Sequence, residues 1–276
     1  MIFNLFKFEI TSRFKGILGW SLGLLAFAGL YISVYPQIIE EMGGLPELAI
    51  YDMMGMEFGS FEGYMSSVVL GFLPILLGIY MVVLGTGLLA GEEDNGTLEL
   101  LMAQGFSRPE IVSVKAVVLA VIPAVILVIT AAGDALIFAA VKNGMNLDTP
   151  IEPFQFSLIV LSAWPFCFAL GMIGLALGSI TPGRRLASVL TGTILAVGYF
   201  GENLTGMVEK LKPLQPLSLF YYFDSSSAVF SEGVKPGDVL VLLSIAAVSY
   251  MVTLFCFGVR NVTTGSWVWK RGKIPS

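Results

Sequence analysis

The sequence contains no histidine in its 276 residues. Histidine is the commonest general base and metal ligand, so its absence excludes serine–histidine and cysteine–histidine nucleophile pairs and histidine-based metal centres. Only two cysteines are present, Cys167 and Cys256, and both stand inside apolar runs, which does not indicate a disulfide framework. The formal net charge of -5 lacks the basic balance of a nucleic-acid-binding protein.

Charged residues are also scarce: they make up 13% of the chain, whereas soluble domains carry roughly 25%. Hydrophobic residues account for 56%, and the mean hydropathy is +0.84. This apolar excess is larger than one globular core can bury, so lipid is the expected solvent for it. No stretch has soluble composition for long enough to form a domain, which predicts a single transmembrane domain over residues 1–276.

Six apolar segments are long enough, or nearly so, for a transmembrane helix, which needs about 20 apolar residues. They are continuous runs without the alternation of barrel strands, so the predicted class is an all-α polytopic membrane protein. The first run exceeds the apolar core of a signal peptide, about 7–15 residues, and is predicted to stay uncleaved. The six predicted spans are 16–35, 66–90, 116–141, 154–180, 186–200 and 239–259.

Lysine and arginine are distributed unevenly between the two sides of these spans. With the N-terminus in the cytoplasm, eleven lie inside and four outside, in agreement with the positive-inside rule. Six spans return the C-terminus to the cytoplasm, and the predicted location is the cell membrane. The inner residues are Lys7, Arg13, Lys15, Arg108, Lys115, Arg184, Arg185, Arg260, Lys270, Arg271 and Lys273, and the outer ones are Lys142, Lys210, Lys212 and Lys235.

The first fifteen residues have a mixed helical pattern. Four apolar side chains fall on one helical face and four polar ones lie beside it, which suits an N-terminal helix in the cytoplasmic interface. A short frayed leader is the alternative. The apolar residues are Phe3, Phe6, Ile10 and Phe14, and the polar ones are Asn4, Lys7, Thr11 and Lys15.

The connection between the second and third spans concentrates polar residues in a chain otherwise poor in them. Asn95-Gly96 indicates a turn, and residues 97–104 are predicted to form a short helix that stops at Gly105. Ser107 and Glu110 fit a capping box at the start of the next helix. Taken alone, these residues also fit a solvated cytoplasmic loop with an incidental cluster of acids.

The same segment resembles the signature of permease subunits in the type-2 family of ABC export transporters. The resemblance rests on the run Glu92-Glu93-x-x-Gly96-Thr97-Leu98-Glu99, followed by Ser107-Arg108 and Lys115. It extends over the whole chain, through the N-terminal helix, the six spans and a Pro-aromatic external segment at 213–223.

In that family the loop after the second span forms a short cytoplasmic coupling helix, which docks into a groove on a separate ATPase subunit. The resemblance therefore implies an exporter permease that forms the translocation path. Leu98 and Leu101 are expected to supply an apolar ridge for docking. The residues assigned to ATPase coupling are Glu92, Glu93, Gly96, Thr97, Leu98, Glu99 and Leu101.

The chain contains no phosphate loop of the Gly-x-x-x-x-Gly-Lys-Ser/Thr type; Gly272-Lys273 is followed by Ile274. ATP and Mg²⁺ are therefore expected on the partner ATPase, and neither a catalytic nor a cofactor residue is assigned to this chain. The expected assembly has two ATPase copies and a second permease chain, identical or related.

Asp134 is the only acid inside a predicted span, and intramembrane acids are functional candidates by default. It lies about 27 Å along the helix from Ala116, near the outer surface, where it either supports helix packing or lines the exit path. A secondary transporter or channel is the alternative function, although neither midplane charges nor inverted repeats are visible. An intramembrane enzyme lacks a plausible catalytic pair.

Overall fold

The computed structural model describes residues 2–42, 60–145 and 149–260, and all regular secondary structure in this part of the chain is helical, without β-strands. The residues 43–59 of the predicted outer loop and the basic residues Lys270, Arg271 and Lys273 lie outside it. We number the helices α1 (Ile2–Ser12), α2 (Phe14–Met42), α3 (Phe61–Asp94), α4 (Thr97–Ala103), α5 (Arg108–Met145), α6 (Pro153–Leu161), α7 (Trp164–Ile180), α8 (Arg184–Met207), α9 (Val229–Glu232) and α10 (Pro236–Val259).

Within the described residues, five helical stretches are long and apolar enough to cross a membrane, and they contain five of the six predicted spans. Each is longer than the apolar run that predicted it, by one residue in Pro153–Ile180 and by more in the other four. The predicted fourth span is two helices, since the chain breaks at residues 162–163, before Pro165. The five stretches are Phe14–Ile38, Phe61–Asp94, Arg108–Gly144, Pro153–Ile180 and Pro236–Val259.

The predicted fifth span, 186–200, lies within α8, which is 24 residues long but is not among those five stretches. The apolar run ends at Gly201-Glu202-Asn203, whereas the helix continues to Met207. A Cβ at Gly198 would lie 3.2 Å from Phe220, and Phe220 contacts Phe166 at the opposite end of α7 from Ile180. Helix α8 therefore extends from the Arg184 end of the bundle towards its other end.

Helix α7 occupies the centre of the bundle and packs against α3, α5, α8 and α10. Glycines let α3 and α7 approach closely: a Cβ on Gly85 would stand 2.3 Å from the carbonyl oxygen of Gly171, and one on Gly174 would stand 3.3 Å from the Thr86 nitrogen. The buried apolar residues of α3 and α7 beside this contact belong to the hydrophobic core.

The N-terminal helix α1 turns Leu5 and Glu9 towards the bundle and leaves part of its predicted apolar face exposed. Leu5 and Glu9 are its buried residues, whereas Phe3 is 72% exposed. Phe6 and Ile10 are partly buried against the core. The charged partners of Glu9, described below, explain why an acid rather than a phenylalanine faces inward.

Candidate functional site

The turn between α3 and α4 adopts the backbone geometry that its sequence predicts. Asn95 ends α3, and Gly96 has a φ of 71°, in the left-handed region that favours glycine. Thr97 Oγ1 donates a hydrogen bond to the Glu92 carbonyl oxygen across this turn, at 3.1 Å. Helix α4 then ends at Ala103, and Gly105, with a φ of 89°, terminates it as predicted.

The predicted capping box at the start of α5 is present. The Ser107 nitrogen donates to Glu110 Oε2 at 2.8 Å, and the Glu110 nitrogen donates to Ser107 Oγ at 3.4 Å. This reciprocal pair fixes the direction in which α5 leaves the α4 segment. We call residues 92–110, from the end of α3 through α4 to the capping box, the helical turn. This segment has a defined structure and is not an irregular loop.

The first acid of the run points into the bundle. Glu92 forms an ion pair with Lys115 of α5, which is 0% exposed. Lys115 also pairs with Glu9 of α1, which is 1% exposed, and Glu9 pairs with Arg13. We call Glu9, Arg13, Glu92 and Lys115 the charge cluster.

The charge cluster holds two acids and two bases, so its formal charge is zero. Buried charges are tolerated when they are paired and hydrogen-bonded, and removal of one partner is strongly destabilising. The cluster joins α1, the end of α3 and the beginning of α5. Movement of the α3 end would therefore be transmitted to both other helices.

The second and third acids contact other helices. Glu93 forms a 2.8 Å ion pair with Arg260, just after α10, and Arg260 also donates to the carbonyl oxygens of Gly178 and Ser179 at 3.0 Å each. The Asp94 Oδ2 atom accepts a 3.1 Å hydrogen bond from the Arg184 nitrogen at the start of α8. Glu92 thus contacts α5, and Asp94 contacts α8. Glu93 contacts Arg260, which links the end of α10 to the end of α7.

Arg108 secures the other side of the helical turn. Its guanidinium donates to the carbonyl oxygens of Phe257, Gly258 and Arg260, at 2.7, 2.8 and 2.7 Å, and lies 5.6 Å from the centre of the Phe257 ring. These are the carbonyl groups that the end of α10 leaves without intrahelical partners. Arg108 therefore caps α10 while it begins α5.

Helix α4 has an inner and an outer side. Leu98 is 1% exposed and belongs to the core, so it does not form the exposed ridge predicted for it. Leu101 is partly buried, whereas Glu99 is exposed and Leu100 is 63% exposed. The outward apolar side chain is Leu100, because the inner face of α4 is fixed by Leu98.

Two pockets open beside this end of the bundle. One, of about 350 Å³, lies between α1 and α4 and is lined by Asn4, Leu5, Phe8, Leu101, Gln104 and Phe106. The other, of about 430 Å³, is lined by residues at the junction of α1 and α2 and by residues of α3 and α8, including Arg13, Tyr80, Glu92 and Arg184. In the second, the Arg184 side chain lies over Gly87 and Gly91, where a Cβ would stand 3.4 and 3.2 Å from it.

Asp134 lies far along α5 from the helical turn and is 0% exposed. The structure therefore brings the acids of the turn together with Glu9, Lys115, Arg184 and Arg260, and it leaves Asp134 apart. Sequence reasoning did not assign roles to Glu9 and Arg260. An acid on a largely apolar amphipathic helix, and an arginine ending the last span, were the available signals.

Seven of the described basic residues make contacts at one end of the bundle or the other, in the same two groups as in the topology prediction. Arg13, Arg108, Lys115, Arg184 and Arg260 meet at the end that carries α4. At the other end, Lys142 contacts Glu152 and Lys235 contacts Asp224, at 3.0 and 3.4 Å.

Comparison with known proteins gives a match at the level of a family. A family model described as an ABC-2 family transporter protein matches residues 3–262. No curated protein matches the sequence. The matched range runs from α1 to beyond the end of α10, so it includes the helical turn and every residue of the charge cluster.

Proposed function

This chain belongs to the ABC-2 transporter family and is a multi-pass membrane component of an ABC-type transporter, and on that premise we propose that it is the permease subunit of an exporter. In this proposal the chain forms the translocation path, and a separate ATPase subunit docks on α4. ATP and Mg²⁺ bind to that partner, which supplies the phosphate loop that this sequence lacks.

The observation that carries the proposal is the position of α4. This short helix stands at the turn between two membrane-spanning helices and presents Glu99 and Leu100 outward. An apolar side chain with polar neighbours suits an interface, because burial gives affinity and charges fix the register. Leu98 supports the helix from its inner side, and Leu101 borders the pocket between α1 and α4.

The acids give α4 a mechanical connection to the bundle. Glu92 and Glu93 form ion pairs with α5 and with the residue after α10, so they act as anchors of the coupling helix. Gly96 and Thr97 fix the angle between α3 and α4. A displacement of α4 by the ATPase would therefore reach several membrane helices through short contacts.

For the topology we propose six crossings, with α8 as the fifth, and a single transmembrane domain. Both termini face the cytoplasm, and α1 lies at the cytoplasmic interface of the cell membrane. The basic residues grouped around α4 support this orientation through the positive-inside rule. The exposed aromatic side chains of α1, Phe3 and Phe8, support contact with lipid headgroups.

For the assembly we propose two ATPase subunits and a second permease chain, identical or related. The test begins with the native complex purified through this chain, whose components are identified by mass spectrometry. The expected partner contains a phosphate loop, and the isolated permease hydrolyses no ATP. ATP turnover by the pure permease, or a functional transporter without any ATPase, would reject the proposal in favour of another transporter class.

The docking surface is tested with Leu100→Asp, which places a charge on the outer side of α4 without entering the core. We expect normal membrane insertion but weakened ATPase binding and reduced ATP-driven transport in proteoliposomes. The matched control is Leu217→Asp, because Leu217 is 84% exposed at the other end of the bundle. Leu98→Asp is not informative, since it would disturb the core. Equal binding by wild type and Leu100→Asp would remove α4 as the docking helix.

A further inference from the structure

Two polar side chains are buried together in the membrane-spanning part of α5 without hydrogen-bond partners. Asp134 and Thr130 are both 0% exposed. Neither carboxyl oxygen of Asp134 has a partner among the described residues, and neither has Thr130 Oγ1. Residues four apart lie on the same face of a helix, so these groups are neighbours. Buried polar groups without partners are rare and call for an explanation.

The site lies where α2, α5 and α6 meet. The Leu25 side chain packs directly against Gly133, and the Ile137 side chain packs directly against Gly29. Residues 25–29 of α2 therefore lie beside Asp134. On the other side, Ser157 of α6 donates a 3.2 Å hydrogen bond to the Ala131 carbonyl oxygen. Helices α7 and α10 meet α5 nearer its start, at Ala120 and Ser113.

In the described part of the chain, no charged side chain pairs with Asp134. Among the described residues, the titratable groups of α2 on this side are Tyr31 and Tyr35, which lie further along the helix, beside Tyr64 of α3, and α6 contains none. Beyond Phe138, which stacks on Phe61, lie Glu62 and Tyr64 at the start of α3.

An ionised carboxylate at such a position would have neither water nor a counter-charge, and the desolvation of an unpaired charge is strongly unfavourable. A bound metal cation does not explain the site, because hard cations take about six or more oxygen ligands, whereas Asp134 and Thr130 together supply three. A proton neutralises the carboxyl with no further ligand.

We propose that Asp134 and Thr130 form a proton-binding site inside the bundle. The Asp134 carboxyl holds a proton while α2, α5 and α6 are packed together. When these helices separate and water enters, the carboxyl O–H bond breaks, the proton passes to water and Thr130 donates a hydrogen bond to the resulting carboxylate.

Proton binding of this kind links the packed conformation to pH. At neutral pH the packed state carries one proton that the hydrated state has released, because a hydrated aspartic acid ionises well below neutral pH, so raising the pH favours separation of the helices. For one proton, the equilibrium shifts by up to about tenfold per pH unit. The relation does not require an ATPase, so it can be tested apart from the proposed transport function.

The test is infrared spectroscopy of the full chain in lipid bilayers, with isotope-labelled aspartate and a pH titration. At neutral pH we expect the carbonyl band of a protonated, labelled carboxylic acid, which shifts in heavy water and is absent in Asp134→Asn. The control Asp238→Asn should keep the band, because Asp238 lies at the partly exposed start of α10. If the Asp134 variant does not fold, absence of the band from the wild type still overturns the proposal.

The role of Thr130 is tested with Thr130→Val against Thr191→Val. Both threonines are 0% exposed, but Thr191 Oγ1 donates to the Ala187 carbonyl oxygen of its own helix at 2.8 Å. We expect only Thr130→Val to move the pH at which the band disappears. A purely ionised carboxylate at neutral pH, loss of the band on addition of sodium chloride at constant pH, or equal behaviour of the two threonine variants would overturn the proposal.

Discussion

The substitution Lys115→Met tests whether the charge cluster is buried and paired as the structure shows. Lys115 is 0% exposed and is the common partner of Glu9 and Glu92. Methionine has similar length and no charge, so the change removes the cation and leaves two acids facing each other in a buried site. Breaking one buried ion pair typically costs about 3–5 kcal/mol. Because one lysine serves two carboxylates, we expect a loss of stability in the upper part of that range.

The measurement is thermal unfolding of the purified chain in detergent or lipid, followed by tryptophan fluorescence. Lys142→Met is the matched control: that lysine is 21% exposed and pairs at 3.0 Å with Glu152, which is 72% exposed, so we expect about 0–1 kcal/mol. The double variant with Glu92→Gln should recover part of the loss, because the remaining acid, Glu9, still pairs with Arg13. Equal midpoints for Lys115→Met and Lys142→Met would refute the buried cluster.

Gly96→Ala should destabilise the turn by about 1–2 kcal/mol in the same unfolding assay, because its φ of 71° is left-handed although its surroundings are open; an unchanged midpoint would contradict this geometry. Gly85→Ala should cost about 1–3 kcal/mol, since its Cβ would meet the Gly171 carbonyl oxygen at 2.3 Å, and a neutral effect would mean that α3 and α7 are farther apart. In a background without cysteine, an impermeant thiol reagent added outside cells should label a cysteine at Ser226 and spare one at Asn95; the reverse would invert the orientation.

Hydropathy located the membrane helices but not their ends. It measures the apolar part of a helix, so the predicted spans are shorter than the helices that contain them. The break before Pro165 was hidden, because residues 154–180 are apolar on both sides of it. Helix α8 was predicted too short, since Gly201-Glu202-Asn203 interrupts the apolar run without ending the helix.

In the site too, the features set by neighbouring residues were predictable, and the contacts between residues far apart in sequence were not. The Asn95-Gly96 turn and the Ser107–Glu110 capping box depend on residues close in sequence, and their residue types predicted them. The contact between Glu9 and Lys115 joins residues 106 positions apart and depends on how α1, α3 and α5 pack. Without tertiary structure, the charge pattern cannot distinguish an acid that pairs internally from one that awaits a partner protein.

The spacing of the three acids supports an anchoring role over a direct role at the partner interface. Successive residues on a helix project about 100° apart, so three consecutive side chains point in three directions. Glu92, Glu93 and Asp94 accordingly meet α5, the residue after α10, and α8. A row of acids flanking one docking groove would instead need a spacing of three or four residues. The consecutive run therefore suits the end of α3 as a junction of several helices, and the proposed docking surface is the outward side of α4, at Glu99 and Leu100.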